Sequence, residues 1–281
     1  MSKIKIHVFH TGSVCVSPAV PFGGEHCSTL KASGLFLPQS KRIWVPVSCY
    51  VIEHPKGRIM VDPGWSRAMS PKGELDKAAQ IKELGSRLLY RVNQGVVPKG
   101  EAPSEHLAEL GLTPADLDYV ILSHLDCDHA VGLHEIAAGH PKRILTSKRE
   151  LENATSRPRF NPMWWEGTGL ETFDWNDDQG PAHHSYDLFG DSSVELINIP
   201  GHTLGLCAVK IKNADGRFVL LFVDGGYAAK SWQEMIVPGV GVDRAAQKKS
   251  LEWIREQSLD PNCLESLATH DPDIKPHVIE L

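Results

Sequence analysis

Hydrophobic positions alternate in some stretches of the chain and recur every three to four residues in others. Residues 3–10 alternate as a strand does. Residues 11–42 are rich in Gly, Pro and Ser and predict a long loop. Residues 45–53 and 58–61 predict a strand pair joined by His54-Pro55-Lys56-Gly57, a turn signature. Leu75, Ala78, Ile81, Leu84, Leu88 and Val92 are spaced for one amphipathic helix over 72–94. A short helix over 104–110 should stop at Gly111. Thr113-Pro114 then reads as a helix cap followed by proline at the first helical position.

Tyr119-Val120-Ile121-Leu122 is a continuous apolar run, as in a strand buried on both faces. Residues 148–153 predict a helix, and 157–190 a long loop carrying Trp164, Trp165, Trp175, His183 and His184. Strands are expected over 194–199, 206–211 and 217–223, the last two joined by the hairpin turn Asn213-Ala214-Asp215-Gly216. A helix should follow over 243–257. Two groups of strands, each followed by helices, predict one layered α/β domain over 1–281.

Composition narrows the function. Of 281 residues, 29 are Lys or Arg and 35 are Asp or Glu, giving a net charge of −6. No basic block stands out, which disfavours nucleic-acid or anionic-membrane partners, since both need a concentrated positive field. The longest apolar runs are far short of a bilayer span. No signal-peptide stretch opens the chain, so a cytoplasmic location is expected. Cys15, Cys27, Cys49, Cys127, Cys207 and Cys263 form no CxxC pair and are expected as reduced, mostly buried thiols.

The 14 His residues matter through their positions. In Ser123-His124-Leu125-Asp126-Cys127-Asp128-His129, four of the six residues from 124 to 129 are His or Asp, directly after a buried-looking strand. Groups of this kind, crowded together, need a cation to hold them. Pro200-Gly201-His202-Thr203, Asp224 and His270 each place another ligand type after an expected strand. Alone, each would more often be a turn residue or a satisfied structural histidine. Their recurrence at strand ends points to a metal site.

These motifs resemble the metallo-β-lactamase superfamily, and within it the N-acyl-homoserine lactone lactonases, the quorum-quenching lactonases. The resemblance runs over nearly the whole chain. It includes Pro46–Ile52, Ile59–Gly64, the 123–132 loop, Ile199–Thr203, and Asp224-Gly225-Gly226-Tyr227 as an Asp-x-x-Tyr motif. It implies an αββα metallo-β-lactamase sandwich with a dinuclear metal site at one edge of the sheets. Metal site one would take His124, Asp126 and His202. Site two would take Asp128, His129 and His270, with Asp224 bridging.

The implied reaction is lactone hydrolysis, of N-acyl-homoserine lactones first, by attack of a metal-bridging hydroxide. Asp128 would act as proton carrier and Tyr227 as oxyanion donor. Phe22, Phe36, Trp44, Trp164 and Trp165 are candidates for an apolar acyl groove, with Leu35 beside them. The expected partner is a small-molecule lactone, and a homodimer is left open. Alternatives are a small cyclic ester or thioester hydrolase of the same fold, or a diiron redox or metal-binding protein.

One departure stands out. The family usually has His where this chain has Asp126. Flavodiiron proteins of the superfamily carry an acidic residue there. With Asp126, three aspartates and a hydroxide would balance two divalent ions. Such a neutral shell is a weaker Lewis acid and favours harder ions. Zinc is the expected cofactor at both sites, with manganese or iron the alternative at the site containing Asp126.

Overall fold

The computed structural model describes residues 3–157 and 159–281. The readings that touch Met1, Ser2 and Pro158 lie outside the described residues. Thirteen strands alternate with helices among them: β1 (Lys5–Val16), β2 (Ile43–His54), β3 (Gly57–Val61), β4 (Gln94–Val96), β5 (Tyr119–Ile121), β6 (Ile144–Ser147), β7 (Leu170–Phe173), β8 (Ser185–Asp187), β9 (Val194–Asn198), β10 (Cys207–Lys212), β11 (Phe218–Val223), β12 (Cys263–Ala268) and β13 (His277–Glu280).

They form two mixed sheets. The larger runs β13-β1-β2-β3-β5-β6-β7, with β4 also paired to β1; the smaller runs β12-β11-β10-β9-β8. The β3-β5-β6-β7 run and the β11-β12 pair are parallel. The remaining pairs are antiparallel.

Strand alternation sorts side chains into two cores. On β2, Tyr50 and Ile52 join the core between the sheets, with Ile6, Leu196, Val209 and Leu221. Val47, Cys49 and Val51 turn the other way, into a core beneath the helices with Leu107, Leu122, Ile136 and Trp164. All six residues of β11 are buried. Their burial contributes on the order of 10 kcal/mol as an upper bound, so the strand is a rigid base for Asp224 at its end.

Three expected elements differ in the structure. First, β1 does not stop at residue 10. A register shift between His10 and Ser13, at Gly12 with φ +80°, carries it on to Val16, so the long loop over 11–42 is a strand end followed by two short helices and the 3-10 turn Gln39–Lys41. Second, the helix over 72–94 is two, Lys77–Leu84 and Arg87–Val92. Gly85 in the left-handed region (φ 67°) ends the first, and the Ser86 side chain caps the second. Third, the 157–190 excursion is not merely loop. It holds β7 and β8, each an edge strand of a different sheet, and so carries the chain from one layer to the other. No helix among the described residues is long and apolar enough to cross a membrane.

Candidate metal centre

One segment from the larger sheet and three from the smaller converge at the sandwich edge. The 123–132 loop leaves β5, and Asp126 occupies the N-cap of the short helix Cys127–Ala130. His202 follows β9 on a turn where Gly201 adopts φ +135°. A Cβ there would collide with the backbone of Gln247 in the helix Arg244–Ser258, so the close approach requires glycine. Asp224 follows β11 and His270 follows β12. Val223, β-branched, is held at φ 44°, and Asp62, just after β3, at φ 51°. Both are costly conformations at strand ends that feed the centre.

The convergence makes two triads. His124, Asp126 and His202 form one; Asp128, His129 and His270 form the other. Within each, one ligand atom per residue lies within 4.8 Å of the rest. Asp224 stands between them. Its Oδ1 lies 3.4 Å from His129 Nε2 and 3.3 Å from His270 Nε2. Its Oδ2 lies 3.5 Å from His202 Nε2 and 4.0 Å from His124 Nε2. All seven side chains are buried.

Hydrogen bonds behind the rings determine which nitrogens face inward. His270 Nδ1 donates to the Pro46 carbonyl at 2.8 Å. His129 Nδ1 donates to Asp62 Oδ2 at 2.8 Å. The Ser123 hydroxyl donates to Asp62 Oδ2 at 2.6 Å, which leaves its lone pair for His124 Nδ1 at 3.0 Å. In all three rings Nε2 is therefore aimed at the centre. The Nε2 atoms of His124, His129 and His270, and Asp224 Oδ1, are buried without a hydrogen-bond partner. Four such orphans facing one another fit divalent cations, and two triads with a carboxylate between them fit a dinuclear site.

Without a cation the carboxylates govern the titration. Burial alone would push His129 down, but Asp62 and Asp224 override it and hold it well above its ordinary value. His270 is raised against burial by Asp224. Asp224 is in turn held well below the usual carboxylate range by His270 and His129, although burial opposes this. These protons stand where metal ions would, so loading the centre releases them. His124 is lowered by burial and by the neighbouring His129.

Arg159 enters this centre. Its Nε donates to Asp126 Oδ1 at 2.7 Å, and its Nη2 contacts Asp126 Oδ2 and lies 2.8 Å from His202 Nε2. Burial would raise Asp126, yet Arg159 holds it well below the usual carboxylate range. Tyr227 stacks on His270 with ring centroids 4.8 Å apart. Burial, then Asp224, Asp128 and Asp126, push its phenol far above the ordinary value, so it remains a neutral O–H donor. Cys127 is likewise kept a thiol, by burial first.

A cavity of about 540 Å³ opens beside the centre. Val14, Val16, Val20, Leu89, Val92, Val240 and Val242 give it apolar walls, and Asp126, Asp128, Arg159 and Tyr227 line its polar end. None of the five expected aromatic groove residues lines it. Trp164 and Trp165 pack into the core beneath the helices, where Trp164 Nε1 donates to the Glu83 carbonyl at 3.2 Å. Phe36 is 79% exposed on a separate groove. Phe22 sits beneath the Lys230 ammonium, and Trp44 is half-exposed on β2. Leu35 is not among the lining residues either. The aliphatic walls come from Val14 and Val16 at the end of β1, Val20 of the helix Ala19–Phe22, Leu89 and Val92 of the helix Arg87–Val92, and Val240 and Val242.

Three residues that build the site are not singled out by the sequence. Asp62 accepts from the backbone nitrogen and hydroxyl of Ser123 and from His129. Glu150, fully buried, accepts from the Leu125 and Gly205 backbone nitrogens and the Thr203 hydroxyl, tying the metal-loop segment to the His202 turn. Arg159 is the third. Asp62-Pro63-Gly64 is a turn pattern and Ser147-x-x-Glu150 a helix-start pattern, but neither pattern says that its carboxylate faces inward.

Residues 42–221 match the profile of the metallo-beta-lactamase superfamily. The chain belongs to that superfamily. Within it, this metallo-beta-lactamase-fold protein is 27% identical over 242 residues to the N-acyl homoserine lactonase AttM of Azorhizobium caulinodans, covering 83% of this chain and 84% of that one. It is 25% identical over 220 residues to the N-acyl homoserine lactonase AiiA of Bacillus thuringiensis subsp. kurstaki, covering 78% and 79%. A solved N-acyl homoserine lactone hydrolase, with N-hexanoyl-L-homoserine bound at its catalytic metal center, shares the fold. Its TM-score is 0.73 at 20% identity, over 96% of this chain and 94% of that one. The dizinc quorum-quenching lactonase AidC aligns with a TM-score of 0.61 at 14% identity, over 100% and 96%.

Proposed function

We propose that this protein is a metal-dependent hydrolase that opens the ring of a lactone carrying an apolar acyl chain, with N-acyl-homoserine lactones as the first candidates. The observation that carries the reading is the placement of Asp224, one oxygen toward each triad, at the polar end of an aliphatic cavity. The lactonase relatives support the substrate class.

His124, Asp126 and His202 would hold one ion, and Asp128, His129 and His270 the other, with Asp224 shared. Two divalent ions so placed would lower the pKa of a water and polarise an ester carbonyl. The Tyr227 hydroxyl, kept protonated by burial and three carboxylates, donates to the carbonyl oxygen as negative charge develops there. Asp128 accepts the proton of the attacking water and returns it to the ring oxygen when the ester bond breaks. The apolar walls of β1 and the helix Arg87–Val92 take the acyl chain and exclude water from it. No serine or cysteine nucleophile is required.

The test is a comparison of metal-reconstituted protein on an acyl lactone, a thioester, a phosphodiester and a β-lactam. Lactone opening should have the highest kcat/KM. A faster thioester or phosphodiester reaction would replace this reading with another hydrolase of the same fold.

A further inference from the structure

Asp126 stands where the resembling family has an imidazole, and the structure shows what accompanies it. A carboxylate offers oxygens to two donors at once, which one inward-facing imidazole nitrogen does not. Arg159 uses both oxygens. A clamp that merely oriented Asp126 would approach from behind and leave the neighbouring ligand alone. Arg159 does not stay behind. Its Nη2 also lies 2.8 Å from His202 Nε2, which is itself 2.9 Å from Asp126 Oδ2. Two of the three donor groups of the first triad thus face a guanidinium, whereas His124 Nε2 in the first and the Nε2 atoms of His129 and His270 in the second face no hydrogen-bond partner.

We propose that Arg159 is a resident cation of the first triad, competing with a metal ion for Asp126 and His202, so that the Asp128–His129–His270 triad fills first and the His124–Asp126–His202 triad fills second and more weakly. The inference rests on the two-ion reading of the centre.

The contacts of Arg159 and its non-titrating charge set the direction. A fixed positive charge within hydrogen-bond reach of two ligand atoms repels an incoming dication and occupies the lone pairs it needs. Arg159 belongs to a loop outside both sheets, and its side chain is 31% exposed at the cavity wall. It can therefore withdraw toward the cavity when the ion enters, retaining Asp126 through one oxygen. The guanidinium also returns the positive charge that a carboxylate in place of an imidazole removes from the centre.

The experiment is a metal titration of chelator-stripped protein with zinc and, separately, manganese, against a chromophoric competitor, with ions per chain counted at each step. Wild type should bind two ions in sequence, the second about tenfold or more weaker. Arg159→Met should tighten the second ion by about tenfold and leave the first nearly unchanged. Arg159→Lys keeps the charge without the fork and should fall between; it also serves if the Met variant does not fold. Weaker or unchanged second-ion binding in Arg159→Met would make Arg159 an orienting clamp and overturn the proposal while leaving the two-ion reading intact. Equal affinities for both ions in wild type would overturn it as well. Failure of wild type to bind two ions would overturn both.

Discussion

Asp62 accepts a hydrogen bond from His129 Nδ1 at 2.8 Å, and both side chains are fully buried. The same carboxylate takes the backbone nitrogen of Ser123 at 2.8 Å and its hydroxyl at 2.6 Å. A carboxylate can satisfy three donors, whereas an amide would turn an N–H toward one of them. Asp62→Asn should therefore weaken metal binding about 10- to 100-fold without removing a ligand. Competitive chelator titration measures this, and unchanged affinity would show that the ring needs no such partner.

Asp224 serves both triads, so its removal should cost more than the removal of any other single ligand. Asp224→Ala is expected to hold well under one ion per chain by elemental analysis and to lose the thermal stabilisation that metal confers. That stabilisation is about 2.7 kcal/mol at a hundredfold excess of metal over Kd. An Asp224→Ala protein that keeps two ions would contradict the bridging assignment.

Tyr227→Phe tests the oxyanion donor. The phenyl ring can keep its stacking on His270, so metal content should not change. Loss of one preorganised donor should lower kcat about 100-fold with little effect on KM. A KM effect alone would recast Tyr227 as part of the acyl-chain wall.

Glu150 supplies a pH dependence. Burial pushes its carboxyl up to about 7, although three donors favour the ionised form. The folded protein then holds a proton that the unfolded chain has already released. This contribution to stability is complete below the unfolded value of 4.5 and is lost as pH rises through about 7. Glu150→Gln cannot titrate. Relative to wild type it should gain about 2 kcal/mol between pH 5.5 and pH 8, read from urea midpoints of metal-free protein. A constant difference between the two proteins would mean that the three donors keep Glu150 ionised throughout.

The cavity lining makes a contrast between two tryptophan experiments. Trp164→Ala should lower stability by about 3–5 kcal/mol, because the ring is core. It should leave acyl-chain preference alone. Leu89→Trp narrows the cavity and should raise KM for long-chain lactones more than for short ones. Steady-state kinetics over a chain-length series separates the two. A chain-length shift in Trp164→Ala would return Trp164 to the groove.

Most of the centre could be read from the sequence because the 123–132 loop, His202 and Asp224 each follow a strand with a distinct apolar run, which β12 before His270 lacks. Val194–Asn198 and Phe218–Val223 end where His202 and Asp224 begin their turns. The lining of the cavity beside the centre could not be read the same way. An aromatic residue in a Gly- and Pro-rich stretch looks alike whether it lines a cavity or fills a core, and Trp164 fills a core. The chain over 11–16 was hidden for another reason. Gly12 marks a loop in sequence, but here it absorbs a bulge and the strand resumes. Arg159 was out of reach because its partner, Asp126, is distant along the chain and meets it only through the tertiary fold.

Each triad draws donors from both sheets: the 123–132 loop supplies two, and the smaller sheet supplies His202 to one and His270 to the other. Cations held this way rivet the two layers across their seam. Neither half of the sandwich offers a complete cage by itself, so an ion is captured only after the layers have docked. Refolding with metal present should consequently proceed at the rate seen without it, while unfolding slows, because the rivets must be drawn before the layers part.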